Sequence, residues 1–115
     1  MSVQNTDGSL TVVAAVAIAA YLLVKPDGNL QNGASVTKTH AGVSDNSVGI
    51  GALCTLINPA GKVRKVVANV LITVGAAVYY DANGRVGTTA ASNTQLGVAL
   101  EAASGAGSVI AVAFT

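Results

Sequence analysis

The side chains that could perform chemistry in this sequence are few and scattered. His40 is its one histidine and Cys54 its one cysteine. A zinc site built on two histidines of one chain is therefore excluded, and so is an intrachain disulfide. Cys54 stands in an apolar run with no neighbouring cation to lower its pKa, which favours a small buried residue over a catalytic thiol. His40 stands in a polar stretch with no evident acid–base partner, so we expect it at the surface or at an interface.

Four of the five acidic residues stand in sequence that is typical of turns: Asp7, Asp27, Asp45 and Asp81. Aspartate is common in turns because its carboxylate accepts hydrogen bonds from nearby backbone N–H groups. A catalytic pair of carboxylates is therefore not indicated. The sequence also lacks a nucleophile elbow, a phosphate-binding loop and an EF-hand loop. We expect no catalytic residue, no cofactor and no metal ion.

One cluster of charge is present, formed by Lys62, Arg64 and Lys65 after a turn at residues 58–61. The simplest interpretation is a solvated strand at the end of a hairpin, and the alternative is a contact with an acidic protein partner. Three cations without stacking aromatic residues are a poor nucleic-acid footprint. The whole chain has six Lys and Arg residues against five Asp and Glu residues, so no basic field attracts nucleic acid.

The elements that must position these residues are predicted to be strands. Apolar residues alternate with period two over residues 66–74, 95–101 and 108–114, and turn sequences rich in Asp, Asn and Gly separate the runs. This pattern predicts an all-β fold, a small barrel or sandwich of short antiparallel strands. The predicted core residues are Val66, Val70, Ile72, Val98, Leu100, Ile110 and Val112.

The N-terminal region is predicted to contain an extended arm, residues 1–9, ahead of a single β domain, residues 10–115. Within that domain we expect strands near residues 10–14 and 21–25. The apolar run from Leu10 to Val24 carries no charge, but it is too short to span a bilayer comfortably. No positively charged segment precedes it, as a signal peptide requires. We therefore expect no membrane partner.

The sequence also contains a possible internal duplication. The segment Leu23–Leu30 aligns with Tyr79–Val86, and Ala41–Ser44 aligns with Leu96–Ala99. Each copy combines a strand, a turn, a second strand and a later Gly-Val strand. Two related halves could pack against each other around one small core.

Composition points to assembly. The apolar residues are mostly Ala and Val, with three Tyr, one Phe and no Trp, and only 10% of residues are charged. Such a chain is poorly soluble as a free monomer, which favours a protein that packs against copies of itself or a partner.

The C-terminal half resembles a known family. Its strand and turn at Val78–Val86, followed by Asn93–Ala103 and a terminal apolar strand, are similar to the DUF2190 family of capsid decoration (cement) proteins of tailed phages. The resemblance implies a β-barrel-like protein of the virion that binds the outer surface of the head as a homotrimer and bridges major capsid proteins. It implies no catalytic residues.

Two sets of residues are the candidate contacts with the capsid or a neighbouring copy: the arm residues Ser2, Val3, Gln4, Asn5 and Thr6, and the basic residues Lys62, Arg64 and Lys65. The alternative function is a ligand- or carbohydrate-binding β module, with Tyr21, Tyr79 and Tyr80 as its possible aromatic platform. A small hydrolase would need a pocket that joins His40 to Cys54 or to an aspartate.

Overall fold

The structure of the chain is a computed structural model that describes residues 3–4, 9–32, 35, 37–90 and 93–115. The chain forms two five-stranded sheets. The first sheet contains β1 (Val3–Gln4), β2 (Ser9–Val13), β3 (Leu23–Val24), β4 (Gly42–Ser44) and β5 (Leu53–Ile57), in the order β1-β2-β5-β4-β3. The second contains β6 (Val63–Val67), β7 (Ala77–Tyr80), β8 (Val86–Gly87), β9 (Gly97–Ala99) and β10 (Val109–Phe114), in the order β6-β10-β9-β7-β8. Neighbouring strands pair antiparallel, and a 3-10 turn at Ala82–Gly84 joins β7 to β8. The predicted all-β fold is confirmed.

The two sheets repeat one topology. The order β2-β5-β4-β3 in the first is matched by β6-β10-β9-β7 in the second. The register is matched too: the pair Val13–Leu53 corresponds to Val67–Val109, and the isolated bridge Ile18–Val48 corresponds to Ile72–Ala103. The pair Val24–Gly42 likewise corresponds to Val78–Gly97. The predicted internal duplication is therefore present in the fold.

Glycine begins the corresponding strands β4 and β9 because the neighbouring backbone leaves no room for a side chain. A Cβ on Gly42 would lie 2.7 Å from the carbonyl oxygen of Ile57. A Cβ on Gly97 would collide in the same way with the carbonyl of Ala113. Each glycine thus lets its strand approach the last strand of its own half.

This close approach explains an error in the predicted core. On β9, Gly97 and Ala99 face the protein interior, and the backbone of Ala113 leaves no room for a side chain at Gly97. Val98 therefore points to the opposite face and is half-buried, and Leu100, beyond the strand end, is 47% exposed. The predicted inward face at positions 98 and 100 is wrong.

The predicted strand over residues 66–74 is shifted. Strand β6 ends at Val67, because the next backbone groups bond to different segments: Ala68 N–H donates to Ser108, Asn69 N–H to Val86 and Ile72 N–H to Ala103. Burial alternates only in part after the ladder ends: Ala68 and Ile72 are buried and Val70 is half-buried. Val67, on the opposite face, is buried as well, and Val74, at the end of the predicted run, is 64% exposed.

Two apolar clusters form the interior, one for each half. The first-half cluster contains Val12, Ala14, Ile18, Val24, Cys54 and Leu56. The larger cluster is built mainly on the second half and includes four predicted core residues, Val66, Ile72, Ile110 and Val112. Leu23 and Val43 of the first half belong to this second cluster. The two halves therefore share one of their cores.

A polar clasp also joins the halves, at the loop between β3 and β4. The Tyr80 hydroxyl oxygen accepts the backbone N–H of Thr39 at 2.9 Å and of His40 at 3.2 Å. The same hydroxyl lies against Nδ1 of the His40 ring. Because the hydroxyl oxygen already accepts two N–H groups, its own O–H donates to Nδ1, which makes this ring nitrogen an acceptor and the imidazole neutral.

His40 is held in its neutral form. Burial, with a smaller contribution from the charge of Lys38, lowers the pKa of His40 from 6.5 to about 4. The sequence predicts His40 at the surface or at an interface. Its half-buried ring lies where the loop between β3 and β4 of the first half meets Tyr80 of the second half.

Within the described residues, no helix has the length and apolar character needed to cross a bilayer.

The core assignment predicts the effect of truncating Ile72, which is 1% exposed. The Ile72→Ala variant should lower the free energy of unfolding by about 2–4 kcal/mol, through lost transfer energy and the cavity left behind. Denaturant unfolding measures this. The matched control is Leu71→Ala, at an exposed neighbour, which should cost about 0.5 kcal/mol or less. Equal losses in the two variants would contradict the face assignment.

The clasp predicts a pH dependence of stability. Because the folded protein lowers the pKa of His40, the unfolded chain binds the proton more readily between pH 6.5 and pH 4. Stability should be full above pH 6.5 and fall by up to about 3 kcal/mol as the pH drops to 4. Urea unfolding at several pH values measures the slope. In His40→Gln this part of the slope should disappear, and an unchanged slope would show that another group is responsible.

Candidate functional site

The residues that sequence analysis weighed for catalysis are not brought together. Cys54 is fully buried on β5, and burial raises the pKa of its thiol. A cleft of about 230 Å³ lies beside His40. Its walls are Lys38, His40, Asn58, Pro59, Ala60, Leu96, Phe114 and Thr115. Neither Cys54 nor an aspartate lines it, so the arrangement that a hydrolase would need is not found there.

Two of the aspartates act in turns, as expected. The Asp27 carboxylate accepts the backbone N–H of Asn29 at 3.0 Å, and this bond holds the pKa of Asp27 below its usual value. The Asp81 carboxylate accepts the backbone N–H of Ala82 and a side-chain N–H of Asn69. Among the described residues, no three His, Cys, Asp or Glu side chains cluster in a way that could hold a metal ion.

The surface instead presents large apolar side chains to solvent. Those that are exposed among the described residues are Val13, Tyr21, Ile50, Leu53, Val63, Leu71, Val74, Leu100 and Val109. Val13 and Leu53 are direct cross-strand partners on the first sheet, and Val109 occupies the place of Leu53 on the second. Of this pair only the Leu53 position is exposed in both halves, since Val67, the counterpart of Val13, is buried. Exposed apolar residues of this size suit contact with other protein surfaces.

The basic residues lie along β6, an edge strand of the second sheet. Arg64 and Lys65 are exposed, and Lys62 is exposed just before the strand. The ion pair found in the described part of the chain, Lys25 with Asp27, lies elsewhere. The predicted position of the cluster, a solvated strand start after a turn, is confirmed.

A second cleft, of about 190 Å³, separates β6 from β4 and β5 of the first sheet. Its walls are Tyr21, Val43, Ser44, Asp45, Ile57, Val63, Arg64 and Lys65. The cleft therefore combines an apolar floor, two cations, one carboxylate and an exposed aromatic ring. We call it the β6 cleft.

Tyr21 lines the β6 cleft and has a strained backbone conformation. Its N–H donates to the Ser44 carbonyl and its own carbonyl accepts the N–H of Val67, so it ties β4 to β6. Its φ is 65°, a left-handed value that costs a non-glycine residue roughly 1 kcal/mol. The equivalent position in the second half is Gly75, with φ 88°.

The predicted contact residues fall into two places. Val3 and Gln4 form β1, which pairs with Thr11 and Leu10 of β2 in the same chain. Ser2, Asn5 and Thr6 lie outside the described residues. The basic residues line or flank the β6 cleft on the other sheet. Sequence reasoning did not assign Tyr21 to this cleft, and the signal that could have found it was an aromatic residue at a repeat position where the second copy has glycine.

Comparison with known proteins identifies the family to which the chain belongs. The model of the phage cement protein family matches residues 3–114. The fold is similar to the crystal structure of the N base of the head fiber protein of bacteriophage phi29, with a TM-score of 0.71 and 23% identity, over 100% of this chain and 95% of that one. A search of curated proteins gave no match. The match over nearly the full length shows that the chain belongs to the phage cement protein family and is a structural protein of the phage capsid.

Proposed function

We propose that this chain is a non-enzymatic decoration protein that binds the outside of a phage head and stabilises the shell by bridging major capsid proteins. The observation that carries the proposal is the family match over residues 3–114. The structural likeness to a head fiber base supports a position on the outer surface of the virion. We further propose that the chain acts as a homotrimer, the arrangement that the sequence resemblance implies.

The surface supports an assembly role in physical terms. The chain exposes large apolar side chains on both sheets and carries few charges that would disfavour contact. Each such contact is weak by itself. On a shell, where one geometry is repeated many times, linked contacts raise the effective concentration of each binding group and give strong attachment.

We propose that both predicted sets of contact residues take part. Lys62, Arg64 and Lys65 present their charges at the edge of the second sheet. Of the arm residues, Val3 and Gln4 pair with β2 at the outer edge of the first sheet. A neighbouring molecule can reach both edges without disturbing either core.

The alternative function, a carbohydrate-binding module, gains no support from the tyrosines. Such a module usually presents an exposed aromatic platform. Tyr80 is buried, with its hydroxyl engaged in the clasp, and Tyr79 is half-buried. Tyr21 alone of the three is exposed.

The proposal predicts that purified protein binds empty shells assembled from the major capsid protein. Electron microscopy should show added density on the outer surface, and scanning calorimetry should show that decorated shells rupture at a higher temperature. The reason is linkage: a protein that binds the intact shell in preference to its separated subunits shifts the equilibrium toward the intact shell. Density on the inner surface, or an unchanged rupture temperature at full occupancy, would contradict the proposal.

Deletion of residues 2–8 tests the arm. The domain should still fold, because both apolar clusters lie in residues 12–114. Shell occupancy should fall and shells should burst at a lower temperature, because the arm's contacts and β1 are lost. Circular dichroism checks the fold, and a shell co-sedimentation assay measures occupancy. Full occupancy with unchanged shell melting would exclude a role for the arm.

A further inference from the structure

The duplication shows where the two halves differ at a sheet edge. Strands β2 and β6 hold the same place in their sheets. The outer edge of β2 carries the two-residue strand β1, which belongs to the same chain. In the described part of the chain, no strand pairs with the outer edge of β6. One edge is therefore covered and its counterpart is open.

The open edge faces the β6 cleft with hydrogen-bonding groups. Within a strand, the N–H and C=O of alternate residues point to the same side. Val67 N–H points away from β10, since it donates to the Tyr21 carbonyl at 3.0 Å. The backbone groups of Lys65 and Val63 share this direction, and among the described residues neither has a hydrogen-bond partner. An open edge of this kind is a template for strand addition.

The side chains around the open edge indicate which charge a segment bound there would carry. Arg64 and Lys65 bring two cations to the cleft, against one carboxylate, Asp45. No described acidic group lies within ion-pair distance of either cation. A carboxylate on an incoming segment would supply the missing partner, and the floor of Val43, Ile57 and Val63 would accept an apolar neighbour.

Tyr21 gives a second, independent argument. Both halves have a left-handed backbone conformation at this position, and in the second half the residue is Gly75, which adopts it without strain. The first half keeps an exposed ring there in spite of the strain, and the ring lines the cleft. Strain retained at a surface cleft is characteristic of a binding role. A ring at this position can pack on the backbone or side chain of an added strand.

We propose that the open edge of β6, with Arg64, Lys65 and Tyr21, is the docking site for an extended acidic segment of the shell protein. The inference rests on the proposed function, and it names the surface and the chemistry of the partner. The segment adds to β6 as β1 adds to β2. Its backbone bonds to Lys65 and Val63, and its carboxylate pairs with the cations.

Charge reversal on assembled shells tests the site. Lys65→Glu should weaken shell binding roughly tenfold, because it replaces attraction by repulsion at the contact. Lys25→Glu makes the same change in net charge in the turn after β3, away from the β6 cleft, and should bind like the parent protein. Tyr21→Gly should weaken binding without lowering the unfolding temperature, since glycine relieves the strain. Normal binding by both Lys65→Glu and Tyr21→Gly would overturn the inference.

A cross-link identifies the occupant. Because Cys54 is buried, a new thiol in Val63→Cys can be labelled selectively with a benzophenone, and Ser104→Cys serves as the control at an exposed loop. Irradiation on shells should join Val63→Cys, and not Ser104→Cys, to a shell-protein peptide that contains Asp or Glu. A cross-link to another copy of this chain, to a peptide without an acidic residue, or to nothing would overturn the inference. If the parent protein itself does not bind shells, the proposed function fails, and the inference fails with it.

Discussion

Backbone hydrogen bonding between closely spaced strands is the constraint on which this fold depends. Large side chains are scarce, so burial of rings cannot hold the sheets together. At Gly42 and Gly97 the strands instead approach so closely that only glycine fits. Close packing recovers dispersion contacts that a loose core of small residues would lose. A strand edge without a partner leaves backbone N–H and C=O groups unpaired. Such an edge either lowers stability or serves to bind another strand.

Because the fold is duplicated, the strand edges of the two halves can be compared position by position. The matched residues include the glycines that begin β4 and β9 and the bridges that follow β2 and β6. Two of the differences lie close together. The first half has a covered edge and the strained Tyr21, whereas the second has an open edge and the relaxed Gly75. Tyr21 and the open edge of β6 both line the β6 cleft, so these two differences meet in a single surface.

Much of the fold could be predicted from local pattern. The period-two runs placed β10 correctly, and the shared Asp-Gly and Asn-Gly turns revealed the duplication, because both signals act within a few residues. Leu100 and Val98 were placed wrongly for a non-local reason: the backbone of Ala113 crowds β9 and turns its small residues inward. For the site, the basic cluster was visible in sequence. The cleft was not, because its other wall comes from Val43 and Ile57, which only the packing of two sheets brings near β6.

The clasp at His40 explains how such a chain can leave an edge open and remain folded. The loop that carries His40 comes from the first half, and Tyr80 comes from the second. Together with Leu23 and Val43, which enter the core of the second half, this contact fixes the two sheets relative to each other. The clasp and the shared core, which includes Val66 of β6, therefore set the orientation of the halves. On the outer side of β6, Val67 alone among the described residues of the strand bonds to the first half, through the Tyr21 carbonyl, so the backbone groups of Lys65 and Val63 remain available to a partner.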